Sequence, residues 1–124
     1  MIVGIGTDLC KIARIEHSLQ SPAFLRRVYA PAEQALLDGR TGKARLETAA
    51  ANFAAKEALL KAAGTGLGGF AMAELAVLRE PGGKPYFALS GAAGHWQREQ
   101  GLRLHVSLTH EDGLAAAFVV LEQL

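Results

Sequence analysis

Residues 44 to 63 limit most strongly how this chain can fold, because they combine many alanines with two charges on an otherwise apolar helical stripe. On a helix of about 3.6 residues per turn, the stripe carries Leu46, Ala50, Phe53, Glu57, Leu60 and Lys61. The pattern predicts a long helix with Glu57 facing inward, where a carboxylate needs a cation, hydrogen bonds or a metal. A rotated helix, with Glu57 and Lys61 as an exposed pair one turn apart, also fits.

A second acid lies near the start of the chain. The apolar run Ile2, Val3 and Ile5 predicts a buried strand that ends at Asp8. Asp8 alone is typical of a turn or a helix cap. Together with Glu57 on a separate element, however, it could provide two oxygen ligands for a hard ion such as Mg²⁺. The two acids therefore form a candidate metal site.

The remaining patterns predict a single small α+β domain over residues 1–124, with an antiparallel sheet packed on one long helix and short flanking helices. Three helices are expected after the first strand, the second capped by Ser21, and the long helix is expected to end at Gly64. Predicted strands cover Leu75 to Arg79, Tyr86 to Leu89, Arg103 to Thr109 and Leu114 to Leu121, with a helix around His95. The final strand is apolar on both faces, which predicts a covering partner subunit.

Charge and cysteine content narrow the possible partners. Thirteen basic and twelve acidic residues give a formal charge of +1, so neither nucleic acid nor an anionic membrane is an expected partner. The single Cys10 cannot form an intramolecular disulfide, and no apolar run approaches the length of a membrane span. A cytoplasmic protein is therefore expected. Cys10 has no histidine partner in its motif, which disfavours a role as a nucleophile.

Several motifs resemble those of holo-acyl-carrier-protein synthase, the short type of 4′-phosphopantetheinyl transferase, in the family's order and spacing. They are Gly6-Thr7-Asp8, Arg14-Ile15-Glu16, the run from Phe53 to Ala58 followed by Lys61, Gly64-Thr65-Gly66, Gly83-Lys84-Pro85, and Ser107 to His110. The resemblance implies a homotrimer with active sites between subunits. It also implies Mg²⁺-dependent transfer of 4′-phosphopantetheine from coenzyme A to a serine of apo acyl carrier protein, releasing adenosine 3′,5′-bisphosphate, in fatty acid biosynthesis.

The resemblance assigns roles to individual residues. Asp8 and Glu57 would hold the metal, with Lys61 as the third catalytic residue. Coenzyme A would contact Lys43, Arg45, Lys61, Gly64, Thr65, Gly66, Lys84, Pro85, Ser107 and His110. Of these, Lys43 and Arg45 would bind the adenosine 3′-phosphate. Ser107 and His110 would come from a neighbouring subunit. The acidic helix of acyl carrier protein would dock on Arg14, Arg26 and Arg27. The group that accepts the proton of the serine hydroxyl stays open: it could be Glu57, a metal-bound water or Glu33.

Asn52 departs from the family pattern, because many members carry Arg or Lys immediately before the aromatic residue at position 53. Part of the 3′-phosphate contact would then fall to Lys43 or Arg45. The glycines from 64 to 69 follow a helix rather than a strand, which argues against a dinucleotide-binding fingerprint. Two other functions also fit the charged residues: a metal-dependent phosphodiesterase that uses water, and a nucleotide-binding module without catalysis.

Overall fold

The computed structural model describes residues 1–65 and 69–124. In chain order, the described elements are β1 (Ile2–Lys11), α1 (Ile12–Ser18), α2 (Pro22–Val28), α3 (Pro31–Asp38), α4 (Gly42–Ala63), β2 (Leu75–Arg79), β3 (Pro85–Leu89), α5 (Gly91–Gln100), β4 (Leu102–Glu111) and β5 (Leu114–Gln123). A 3₁₀ turn, Met72–Glu74, lies directly before β2. The predicted α+β class is confirmed, and most elements match their expected positions.

Two antiparallel sheets are present in the described part of the chain. Three strands form the larger sheet in the order β1-β5-β4, and β2 pairs with β3 in a separate hairpin. Strands β4 and β5 are joined through Asp112 and Gly113, both with positive φ, as a tight hairpin turn requires. Helix α4 packs across β1 and β5, so the larger sheet has one face against this helix.

Strand β1 approaches α4 closely because it carries two glycines on the helix side. A Cβ at Gly4 would meet the carbonyl oxygen of Ala62, and a Cβ at Gly6 would meet that of Ala58. The strand also continues beyond the predicted end, since Asp8 pairs with Ala117 in register and pairing extends to Lys11. The prediction that Asp8 stands at a strand end was therefore wrong. Asp8 lies within β1, on the face that turns toward α4.

The other face of the larger sheet is open and largely apolar in the single chain. Ile2, Val3, Ile5 and Leu9 of β1 are 46% to 64% exposed, and Phe118 of β5 is 45% exposed. The prediction that the first strand is buried was therefore wrong for the isolated chain. Residues at alternating positions point to opposite faces, so only the glycines, Asp8 and Cys10 turn toward the helix. The open face of β1 and β5 is hereafter called the outer face.

Helix α4 ends as predicted, with Gly64 in the left-handed conformation at φ 75°. The predicted inner stripe is correct for Ala50 and Leu60, which are buried, but wrong for its two charged residues. Glu57 is only partly buried and Lys61 is exposed, whereas Lys56 and Asn52 are fully buried. Alanines occur on every side of this helix, so its apolar pattern does not define which face turns inward. Packing against β1, β5 and the shorter helices decides it.

Shorter helices begin as the sequence predicts. The hydroxyl of Ser21 accepts a hydrogen bond from the Phe24 N–H, and Pro22 and Pro31 are the first residues of α2 and α3. The carboxylate of Glu33 accepts from the Ala30 N–H at the start of α3. Among the helices described, none has the length and apolar character that a membrane span requires.

Candidate active site

Asp8 and Lys61 are in contact although they are 53 positions apart in the sequence. Lys61 Nζ lies 3.1 Å from Asp8 Oδ1 and donates a second hydrogen bond, of 3.0 Å, to the carbonyl oxygen of Thr7. The side chain of Asp8 is 18% exposed and that of Lys61 is 55% exposed. Lys61 therefore pairs with Asp8 at the edge of the protein, rather than forming the exposed pair with Glu57 that was one reading of the helix.

Glu57 shares a cavity of about 230 Å³ with Asp8. The other lining residues are Leu9, Cys10, Arg14 and Phe53. Burial raises the pKa of Glu57 above its ordinary value, the negative charge of Asp8 raises it further, and Lys61 and Arg14 act in the opposite direction. The two carboxylates thus repel each other at close quarters, which is an unfavourable arrangement that a shared cation would relieve.

The chemistry of this cavity fits a hard divalent ion held in part by a substrate. Two carboxylates face it, and no cluster of three or more His, Cys, Asp or Glu side chains suited to a metal occurs within residues 1–65 and 69–124. Mg²⁺ is commonly bound by one or two carboxylates, with phosphate oxygens and water as the remaining ligands. A phosphate-bearing substrate would therefore complete the ligand set.

Cys10 lines the same cavity but is a poor candidate for chemistry. Its side chain is 4% exposed, and burial raises the pKa of its thiol above the ordinary value, with Asp8 and Glu57 adding to the effect. The thiolate is the reactive form of cysteine, so a raised pKa makes this thiol inert near neutral pH. The geometry accordingly favours the acids as the working groups.

The three predicted docking arginines occupy two helices. Arg14 of α1 is exposed and also borders the cavity of Asp8 and Glu57, whereas Arg26 and Arg27 lie exposed in the last turn of α2. Of the three arginines, Arg14 alone lines this cavity, so the predicted docking residues extend to its rim. A partner that contacts Arg14 would reach the rim of the acidic cavity.

Lys43 and Arg45, the two predicted 3′-phosphate contacts, do not converge. Lys43 is 88% exposed and its Nζ lies 4.0 Å from Glu47 Oε2, one turn along α4. Arg45 is partly buried on the side of the helix near Tyr29. Burial and the charge of Glu33 raise the pKa of the Tyr29 phenol, and the positive charge of Arg45 opposes this rise. Residues two positions apart on a helix point to nearly opposite sides, about 200° around the axis.

The predicted glycine-turn contacts begin directly after α4. Gly64 ends the helix, and the hydroxyl of Thr65 donates to the Leu60 carbonyl oxygen at 3.5 Å. Gly66 lies outside the described residues. Lys84 is exposed in the turn between β2 and β3, and Pro85 is the first residue of β3. These two residues therefore lie on the hairpin rather than beside Asp8.

Ser107 and His110 lie on different sides of β4. Ser107 aligns with Phe118 on the outer face, whereas His110 Nδ1 contacts Glu47 Oε2 of α4 at 3.2 Å. His110 lines a cavity with residues of the β2–β3 turn, and this cavity shares no lining residue with that of Asp8 and Glu57. One chain therefore does not bring His110 to its own acid pair.

A buried polar network is centred on Lys56, which no sequence pattern had indicated. Lys56 Nζ donates to Glu33 Oε1 and to the carbonyl oxygens of Val28 and Met72, and it lies 5.6 Å from the centre of the Tyr29 ring. Glu33, considered above as a proton acceptor, is 0% exposed, with one oxygen bonded to Lys56 and Ala30 and the other to Asn52. That interpretation was wrong, because buried and fully bonded oxygens cannot reach a substrate.

The sequence and the fold match known proteins over nearly the whole chain. The family model of the 4′-phosphopantetheinyl transferase superfamily matches residues 4–119 of this chain. The chain belongs to this superfamily. It is thus an enzyme of the phosphotransferase class, as the resemblance implied.

Curated relatives and solved structures of this superfamily agree with that assignment. Holo-[acyl-carrier-protein] synthase of Methylobacterium sp. (strain 4-46) is 46% identical, with 100% of this chain and 96% of that protein covered. The corresponding synthase of Myxococcus xanthus (strain DK1622) is also 46% identical, with 98% of this chain and 95% of that protein covered. Among crystal structures, the synthase from Neisseria meningitidis has a TM-score of 0.89 and 35% identity, covering 99% of this chain and 100% of that one. The Bacillus anthracis str. Ames synthase in complex with CoA (3′,5′-ADP) has a TM-score of 0.85 and 35% identity, covering 99% and 98%.

Proposed function

We propose that this protein is a holo-acyl-carrier-protein synthase that transfers 4′-phosphopantetheine from coenzyme A to a serine of apo acyl carrier protein. The observation that carries the proposal is the cavity shared by Asp8 and Glu57, with Lys61 bonded to Asp8 at its edge. The relatives of this chain are named for the same reaction, and a structural neighbour holds coenzyme A. The acceptor and the co-substrate would meet at this cavity.

The transfer replaces a phosphoanhydride bond of coenzyme A with a phosphate ester bond to serine. The serine oxygen bonds to the phosphorus that bears the pantetheine, and the bond from that phosphorus to the bridging oxygen of the diphosphate breaks. Adenosine 3′,5′-bisphosphate leaves, and the serine proton is released. In such transfers the protein mainly positions the groups and offsets charge on the reacting phosphate. Lys61, half exposed beside Asp8, can neutralise a phosphate oxygen from the protein side.

Asp8 and Glu57 would hold Mg²⁺. When bound, the ion would supply positive charge to the diphosphate and relieve the repulsion between the two carboxylates. Arg14, at the rim of the same cavity, together with Arg26 and Arg27 on α2, would receive the acidic helix of acyl carrier protein. A local basic surface on a protein of formal charge +1 favours an acidic partner.

Mass spectrometry of apo acyl carrier protein tests the reaction directly. With coenzyme A, Mg²⁺ and this protein, the carrier is expected to gain one phosphopantetheine group on serine, and EDTA is expected to prevent the gain. The variants Asp8→Asn and Glu57→Gln should lose transfer, whereas Asp38→Asn, at an exposed acid on α3, should retain it. Hydrolysis of coenzyme A without acyl carrier protein would instead indicate a phosphodiesterase. Binding without turnover would indicate a nucleotide-binding module.

A homotrimer with active sites between subunits completes the proposal. The apolar outer face of β1 and β5 needs cover, and His110 lines a cavity apart from the Asp8 and Glu57 of its own chain. A neighbour could therefore bring its Ser107 and His110 to the acid pair. His110→Ala alone is expected to be strongly impaired. Mixing it with inactive Asp8→Ala subunits should restore some activity, because certain interfaces would then hold both residues; no recovery despite proven subunit exchange would refute the shared site.

A further inference from the structure

A cavity of about 350 Å³ lies between the first half of α4, the turn between β2 and β3, and the end of β4. Arg40, which follows α3, and Arg79, the last residue of β2, both line it, together with Glu47, Thr48 and His110. Neither arginine belongs to any motif recognised in the sequence. Two guanidinium groups in one cavity are typical of a site for an anion.

Arg79 is held in place by Asn52. Arg79 Nη2 donates a hydrogen bond of 2.8 Å to Asn52 Oδ1, and Nη1 donates to the Leu78 carbonyl oxygen at 3.3 Å. The amide nitrogen of Asn52 donates in turn to Glu33 Oε2 at 3.0 Å and to the Val77 carbonyl oxygen at 2.9 Å. These two bonds use both N–H donors of the buried amide and fix its orientation, with the oxygen toward Arg79. The arginine is thus oriented before any ligand arrives.

Arg40 is anchored by a hydrogen bond to α4. Its Nη1 donates to the hydroxyl of Thr48, and that hydroxyl donates to the Ala44 carbonyl oxygen at 2.9 Å. A guanidinium group has five N–H donors, so both arginines keep donors for a ligand after these bonds are made. The anchoring fixes the direction in which the two groups point, which reduces the ordering cost of binding.

Both arginines line one cavity, and the acids near them are already engaged by other groups. Burial lowers the pKa of Arg79, and the charge of Arg40 lowers it further, while Glu33 opposes the shift. Both oxygens of Glu33 are engaged by Lys56, Ala30 and Asn52. Glu47, the carboxylate that lines the cavity, is in contact with His110 and Lys43. The cavity therefore keeps an excess of positive charge.

We infer that Arg79 and Arg40 bind the 3′-phosphate monoester of coenzyme A, with Arg79 supplying the cation that position 52 lacks in this chain. The inference rests on the proposed function. A phosphate monoester carries nearly two charges at neutral pH and three acceptor oxygens, which suits two forked donors. The diphosphate belongs at Asp8 and Glu57, whose cavity has no lining residue in common with this one. In the assembled protein, one coenzyme A would span the acid pair of one subunit and the arginine cavity of the next.

Calorimetric titration with coenzyme A and with 3′-dephospho-coenzyme A tests the assignment, because the two ligands differ only in the monoester. The wild-type protein is expected to bind coenzyme A more tightly. Arg79→Gln and Arg40→Gln should each weaken coenzyme A binding by about ten- to a hundredfold and leave binding of the dephospho ligand nearly unchanged. Arg98→Gln, at an exposed arginine of α5, is the matched control and should change neither affinity.

Different outcomes separate this inference from the proposed function. Equal binding of the two ligands by the wild-type protein, or equal losses for both ligands in the variants, would overturn the monoester site while leaving transfer intact. Failure of the wild-type protein to bind either ligand would overturn the proposed function as well. Arg79→Gln also removes a bond to a buried amide, so a thermal melt accompanies each titration. If that variant fails to fold, Arg40→Gln decides, because the side chain of Arg40 bonds a single hydroxyl.

Discussion

Lys56 Nζ donates a 2.6 Å hydrogen bond to Glu33 Oε1, and both side chains are fully buried. The pair joins α4 to α3, and further bonds from Lys56 reach the end of α2 and the turn before β2. Burial lowers the pKa of Lys56, whereas the charge and hydrogen bond of Glu33 raise it. Lys56 therefore depends on Glu33 to stay charged inside the protein.

Separate removal of either partner is expected to destabilise the fold strongly. Glu33→Gln or Lys56→Met should each lower the free energy of unfolding by about 3–5 kcal/mol, because each leaves an uncompensated buried charge. The double variant should lose less than the sum of the two, since both charges are then absent. Urea denaturation measures these values, with Lys43→Met as the exposed control. Additive losses would contradict a coupled pair.

The stability of the metal-free protein should depend on the protonation of Glu57. Its pKa is raised in the folded state, so between its unfolded value near 4.5 and its folded value the folded protein binds more protons than the unfolded chain. Stability therefore falls as pH rises through that range. Glu57→Gln should raise the melting temperature at pH 7, and the difference from wild type should vanish below about pH 4.

Mg²⁺ provides the internal control for that experiment. The ion binds the folded state, so it should raise the melting temperature of the wild-type protein and have much less effect on Glu57→Gln. Asp38→Asn, at an exposed acid, should follow the wild-type protein in both conditions. A Glu57→Gln variant that is less stable than wild type at pH 7 without metal would show that the carboxylate has a favourable structural partner.

The close contact between β1 and α4 should not tolerate a side chain. Gly6→Ala would place a Cβ against the Ala58 carbonyl oxygen, and the helix backbone would have to move. We expect a loss of about 1–3 kcal/mol or more, as for other overpacked sites, together with reduced transfer because Glu57 adjoins Ala58. Gly82→Ala is the matched control, since its Cβ would meet open space. Equal stability of the two variants by urea denaturation would refute the close-contact explanation.

Assembly should depend on the outer face of the larger sheet. Phe118→Glu and Ile5→Glu place a charge in the apolar surface that a partner would cover, so light scattering should report a monomer and transfer should be lost. Tyr86→Glu, at a comparably exposed aromatic on β3, is the control and should remain assembled. A fully active wild-type monomer would contradict the requirement for assembly.

Carrier-protein docking should be separable from coenzyme A binding at Arg27, which lies in the last turn of α2. Arg27→Glu should raise KM for acyl carrier protein and leave KM for coenzyme A nearly unchanged. The defect should shrink as salt rises, because exposed charges are screened beyond about 10 Å at 0.1 M ionic strength. Arg14→Glu should affect both constants, since Arg14 borders the acidic cavity. Equal shifts of both KM values in Arg27→Glu would refute the docking surface.

The secondary structure was largely predictable because local chemistry determines it. Ser21 caps α2, Gly64 ends α4 in the left-handed conformation, and Asp112 with Gly113 closes the β4–β5 hairpin. Each feature depends on backbone preferences within a few residues. The motifs from Gly6 to His110 likewise identified the family from sequence, because they preserve its order and spacing.

Local patterns were enough to predict the elements, the family and the pair of acids that line one cavity, whereas packing between elements sets which charges are buried and which groups meet. An alanine-rich helix exposes nearly the same surface in any rotation, so nothing local distinguished Lys56, which is buried, from Glu57, which is partly exposed. The hydrogen bond from Arg79 to Asn52 spans 27 positions and joins two elements whose patterns are independent. Such contacts depend on how α4 rests on the glycines of β1, and that packing exists only once the chain has folded.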